Sequence, residues 1–115
     1  MNNVSGKWKY KEEYDHGAAA GELLLEQNGA LLSGRIIFTD RSGDGDTCMI
    51  REDLSGTLEG RKVKLKATEL DVIHAEHEID YELDEWFGLL VDECTIIGLS
   101  MDEQGIEGHF TFERE

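Results

Sequence analysis

The feature that most constrains this chain is a glycine on the apolar face of an alternating segment, in a phrase that recurs. Asn28-Gly29 offers a tight turn, and from Leu32 to Phe38 the side chains of Leu32, Gly34, Ile36 and Phe38 fall on one face because strand side chains alternate. Glycine in that row weakens a strand unless the backbone must bend or be closely approached there. The phrase apolar-x-Gly-x-apolar returns at Leu54 to Leu58 and at Ile106 to Phe110, with a looser copy at Ile96 to Ser100. Repeated inward glycines are a device for curling a sheet until it closes. The expectation is an all-β fold, an antiparallel up-and-down meander barrel of about eight strands, with Gly34, Gly56 and Gly108 facing inward at bends.

The strands can be placed in order. Gly6 to Tyr14 alternates with Trp8, Tyr10, Glu12 and Tyr14 on one face, and Gly21 to Gln27 follows with Leu23 and Leu25 inward. Asn28 and Gly29 are both suited to positive φ, and the third strand ends at Phe38. In Thr47 to Leu58 the inner row is Cys48, Ile50, Leu54 and Leu58, and Glu52 either joins it or is displaced by a bulge near Asp53. A fifth strand to Thr68 puts Val63, Leu65 and Ala67 inward. A sixth, Val72 to Leu83, carries Ile73, Ala75, His77, Ile79, Tyr81 and Leu83 on one face and an acidic row from Glu76 to Glu82 on the other. A hairpin closing at 69–71 would set Lys62, Lys64 and Lys66 beside that row. Glu85 to Val91 breaks the alternation and reads as a short helical turn near 84–91, capped by Asp84 and plugging one barrel end, with an extended reading almost as good. The rival is an apolar patch that makes a homodimer through Trp86 and Phe87. Thr95 to Met101, with Leu99 inward, and Ile106 to Arg114 make the last hairpin.

At 115 residues the chain is a single β-barrel domain, 1–115. Its formal net charge of −15 argues against nucleic acid and against an anionic membrane as partners. With no secretory signal and no run long enough to span a bilayer, the expected location is cytoplasmic. No cofactor is implied. Asp40, Ser42, Asp44 and Gly45 match part of a calcium loop, but its twelfth position is Arg51 and strands flank it, so a plain acidic loop is expected. Cys48 and Cys94 each fall in an expected strand without metal-ligand spacing, and His74 and His77 would face opposite ways, so no metal site is expected.

Gly6-Lys7-Trp8, opening the first strand of an eight-strand meander, resembles the Gly-x-Trp signature of the calycin superfamily, which includes lipocalins, fatty-acid-binding proteins and avidins. The resemblance implies that Arg114, near the end of the last strand, covers Trp8. The lipocalin Thr-Asp-Tyr motif and the helical lid of fatty-acid-binding proteins are missing, and avidin's biotin contacts do not carry over. What the resemblance implies is a barrel fold and a small apolar or amphipathic ligand in the lumen.

The residues point the same way. Glu12, Glu52 and His77 fall on an otherwise apolar inner face, where an ionised group is costly unless paired, and convergent polar groups in an apolar lumen are what a ligand pocket contains. The candidate binding residues are Trp8, Tyr10, Glu12, Glu52, His77, Tyr81 and Phe110, with Trp8, Tyr10 and Phe110 as walls and His77 and Glu52 as polar anchors. Two other readings remain. One is an acidic protein-interaction or inhibitor domain with a filled core; the other is a barrel isomerase or cyclase that uses His77 with Glu12 or Glu52 as an acid-base pair.

Overall fold

The computed structural model describes residues 3–14, 17–43, 45–75, 83–103, 105 and 107–115. Eight strands run β1 (Gly6–Tyr14), β2 (Gly17–Asn28), β3 (Leu31–Ser42), β4 (Thr47–Glu59), β5 (Lys62–Ala75), β6 (Asp84–Asp92), β7 (Thr95–Asp102) and β8 (Glu107–Arg114). Each pairs antiparallel with the next, and β8 returns to β1 with Tyr10 opposite Phe112, so the sheet is a closed meander barrel. Closure leaves no long unpaired edge and sorts the side chains of every strand into an inner and an outer row.

The inward glycines show how the sheet coils. A β-carbon on Gly34 would lie 2.2 Å from the Leu24 carbonyl oxygen, and one on Gly56 would lie 1.8 Å from that of Lys64. Neighbouring backbone occupies the space a side chain would need, as a tightly curled sheet requires. The β2–β3 turn uses only one of its two expected positive φ angles. Gly29 has φ 64°, whereas Asn28 ends β2 and no residue other than glycine has positive φ among the described residues. The turn is centred on Gly29-Ala30, with glycine first, the φ pattern of a type II′ hairpin.

The count of eight strands holds, but through different segments. Residues 62–75 form one strand in which Thr68 and Ile73 are extra residues relative to β4, at the register shifts between Asp53 and Leu54 and between Met49 and Ile50. Both sequence alternatives for Glu52 are therefore realised together: it points inward, and a bulge lies next to it, on the opposite strand. The 84–91 segment is the strand β6, not a helical turn. Trp86 and Leu90 face in while Phe87, Leu89 and Val91 face out. Since both faces are apolar, no hydropathy alternation marks the strand. Lys62, Lys64 and Lys66 stand between β4 and β6, opposite Leu89, Phe87 and Glu85 on one side and Glu59, Thr57 and Ser55 on the other. The expected lysine–acid hairpin is thus replaced by Lys66 facing Glu85 at 4.0 Å and by Lys64 lying 5.7 Å from the Phe87 ring centroid. Ile73 and Leu99 are outward, the latter 47% exposed. Cys94 lies in the β6–β7 turn, and both cysteines are free thiols.

Candidate functional site

One end of the barrel is shut by its own termini. Trp8 is fully buried; its indole Nε1 donates to the Val4 carbonyl at 2.9 Å, and the Arg114 guanidinium covers the ring at 4.4 Å from the centroid. The same guanidinium donates to the backbone carbonyls of Asn3 at 2.7 Å, Ser5 at 2.9 Å and Glu93 at 3.0 Å. A cation held over indole and hydrogen-bonded to three carbonyls ties the first residues, the last strand and a turn into a floor. Above it the middle is a packed aromatic layer: the Tyr10 ring lies 5.6 Å from Phe38, 5.6 Å from Phe112 and 6.3 Å from Trp86, and Phe110 lies 4.7 Å from Phe112.

Polar groups converge above that layer. Following the alternation toward the end where β1 meets β2 and β7 meets β8, the inner row carries Glu12 and Tyr14 on β1, Asp40 on β3, Cys48 and Glu52 on β4, Asp84 on β6, and Ser100 and Asp102 on β7. Glu52 is 0% exposed. Neither of its carboxylate oxygens has a hydrogen-bond partner among the described residues, and the same holds for Nε1 of Trp86, which is 1% exposed. Glu12 is better served: the Tyr10 hydroxyl donates to it at 2.6 Å. Its carboxylate lies over Gly108, where a β-carbon would stand 2.8 Å from Oε2 and 3.0 Å from the Ser100 hydroxyl. The inward glycine on β8 therefore makes room for a functional group, unlike Gly34 and Gly56, which make room for backbone. Tyr14 donates to Asp40 in the same region.

Burial sets the ionisation of this end. It pushes Glu52 up to about 8, with the Glu12 charge adding to it and Asp84 opposing. It pushes Asp84 up to about 10, aided by the charges of Glu52 and Glu12. Glu12 is raised too, chiefly by burial, against the opposing influence of the Tyr10 hydroxyl, Ser100 and Trp86. Three carboxyls in one poorly solvated site cannot all ionise readily, so the Glu52–Asp84 pair holds protons to well above the usual carboxylate range. Asp84 and Glu52 shift each other's ionisation, and Trp86 favours the ionised forms of Tyr10 and Glu12, while among the described residues neither the Glu52 oxygens nor the Trp86 N–H closes a hydrogen bond of ordinary geometry.

Of the seven residues expected from sequence, Glu12 and Glu52 meet at this end. Tyr10 and Phe110 lie in the aromatic layer beneath, and Trp8 belongs to the floor. His77 and Tyr81, with the Glu76–Glu82 row and Asp44 of the calcium-like loop, lie outside the described residues. Sequence reasoning missed Asp84, Trp86 and Ser100. A signal was present for Trp86, since Trp86-Phe87-Gly88-Leu89-Leu90 repeats the apolar-x-Gly-x-apolar phrase. Of the pair expected to make a homodimer, Trp86 is interior. Phe87 is 42% exposed, in an outer apolar stripe with Leu89, Ile97 and Leu99. Among the described residues no cluster of three or more His, Cys, Asp or Glu side chains is arranged to hold a metal ion.

No protein-family model matches the chain, and no curated protein matches it. Solved structures do. A redesigned β barrel, mFAP1, bound to DFHBI, superposes with a TM-score of 0.67 at 11% identity, over 96% of this chain and 94% of that one. Another redesigned barrel, mFAP0, also bound to DFHBI, gives 0.65 at 10% identity over 96% and 98%. A fluorescence-activating β barrel designed de novo gives 0.60 at 14% identity over 97% and 94%. At such identities the likeness is one of fold.

Proposed function

We propose that this protein is a calycin-like carrier that holds a small amphipathic molecule inside the barrel, at the end where Glu12, Glu52 and Asp84 converge. The observation that carries the reading is Glu52: a fully buried carboxyl with both oxygens unpartnered among the described residues is a destabilising choice for a filled core and a useful one for a binding site. Floor and lumen divide the work. The Trp8–Arg114 lock closes one end, the Tyr10, Phe38 and Phe110 layer offers an apolar base, and the carboxyls supply polar anchors above it. Two further facts support a lumen ligand: the floor contact has the form the calycin resemblance implies, and two barrels of this fold, mFAP1 and mFAP0, are bound to DFHBI. The competing reading, a solid barrel acting through its acidic exterior, takes its support from the close packing of Tyr10 against Phe38 and Phe112.

The two readings separate in one titration. Environment-sensitive fluorescent lipids are added to the wild type and to Glu52→Gln, with urea midpoints measured in parallel. A carrier binds at micromolar concentrations and loses affinity on substitution. If the wild type binds none and Glu52→Gln is simply more stable, the carboxyl end is a structural core, and function belongs to the acidic surface.

A further inference from the structure

The inner rows of the described strands distribute charge unevenly. At the upper end they present Glu12, Asp40, Glu52, Asp84 and Asp102, and the one basic side chain in those rows, Arg114, is fixed in the floor at the other end. Among the described residues every charged group at the Glu52 end of the inner rows is acidic: Glu12 on β1, Asp40 on β3, Asp84 on β6 and Asp102 on β7, while β5 sets Leu70 beside Glu52. Among the described residues Tyr10, Tyr14 and Cys48 are the other titratable groups at this end, and all are neutral when protonated. An anionic or purely apolar occupant would leave the Glu52 oxygens as they are.

We infer that the lumen selects an organic cation, a primary ammonium or amidinium group on an apolar body, whose N–H donors satisfy the two Glu52 oxygens. This rests on the small-ligand reading above. The chemistry suits the wall on three counts. An ammonium or amidinium group supplies donors and no acceptor, which is what a carboxylate with two unused oxygens lacks. The rings of Tyr10, Trp86 and Phe38 stand beneath the carboxyls and offer π faces to a cation or stacking to its apolar body. The Trp86 N–H, buried and unpartnered among the described residues, already favours the ionised form of Glu12, so it can stabilise that carboxylate once the site ionises. Binding must also displace protons. A carboxyl held protonated by burial becomes the counter-ion only by releasing its proton, so affinity rises with pH until the group is already ionised in the empty site.

The test uses the whole protein and three probes with one body: 2-naphthylmethylammonium, 2-naphthylmethanol and 2-naphthylacetate, titrated by fluorescence from pH 5.5 to 8. The cation is expected to bind at least tenfold more tightly than the alcohol at pH 7.5, and the acetate most weakly. Cation affinity should climb by up to tenfold per pH unit below about 8, the point to which burial lifts Glu52, while alcohol affinity stays level. Calorimetry in two buffers of different ionisation heat should register proton release on cation binding. Glu52→Gln should bring cation and alcohol affinities within about twofold of each other, with Asp84→Asn as the second variant should the first not fold. If the alcohol matches the cation in the wild type, or no proton is released, the cation inference falls and the small-ligand reading stands. If none of the three binds at millimolar concentration, both fall together.

Discussion

Gly34 and Gly108 are alike in sequence and differ in what they accommodate. A β-carbon at Gly34 would meet the Leu24 carbonyl oxygen at 2.2 Å, and backbone cannot rotate away. Gly34→Val should therefore lower stability by at least the ~1–3 kcal/mol typical of overpacking, read as a drop in urea midpoint; an unchanged midpoint would contradict the coiled register. At Gly108 the obstacle is the Glu12 carboxylate, so Gly108→Ala should displace a functional group more than it strains the sheet. The inward direction of both glycines, and of Glu12 and Glu52, was legible from alternation alone. What those positions make room for was not, because it depends on which strands lie alongside, and a single strand's pattern contains no information about its neighbours. His77 reads as equally inward in sequence, and its place lies outside the described residues.

At the scale of elements, β6 shows where periodicity stops informing. Its inner row is Asp84, Trp86, Gly88 and Leu90 and its outer row Glu85, Phe87, Leu89 and Val91, so hydropathy hardly changes from one position to the next. A helix of the same composition gives an equally good stripe. The helical expectation and the misplaced lysine–acid hairpin share this cause: a helical reading of 84–91 leaves β5 without its true partner, β6. The recurring glycine phrase is the better guide, since Gly88 stands opposite Gly98 in the β6–β7 pair, where the two backbones approach closely. A β-carbon on Gly98 would lie 2.0 Å from the Phe87 carbonyl oxygen, whereas one on Gly88 would first meet the Ile96 Cγ2 atom at 2.8 Å and the Phe110 ring at 3.0 Å. Side chains can adjust and carbonyls cannot. Gly98→Ala should then cost more than Gly88→Ala in chemical denaturation, and the reverse order would mean that the crossing is set by side-chain packing instead of backbone approach.

For the whole molecule, 26 acidic residues against 11 basic ones leave a chain that repels itself, and the barrel buries carboxyls in addition. Both facts act on stability in one direction. Glu12, Glu52 and Asp84 have folded-state values raised above their ordinary ones, so between roughly pH 4 and the raised values the folded protein holds protons that the unfolded chain has released. Stability from this source is complete below the unfolded values and declines as pH rises through 8 and toward 10, with a slope of about 1.4 kcal/mol per pH unit for each proton so held. Surface repulsion also grows over the lower part of that range, but salt screens it, whereas a buried carboxyl is screened far less. Thermal denaturation should therefore place the highest Tm near pH 5 and show it falling to pH 9, with 1 M NaCl recovering only part of the fall. Glu52→Gln removes one of the linked protons while keeping the shape of the side chain, so its Tm should fall less over the same range. A wild-type Tm that is level or rising from pH 5 to pH 9 would mean that the carboxyl end is well solvated. That result would also remove the unpartnered Glu52 from which the carrier is argued.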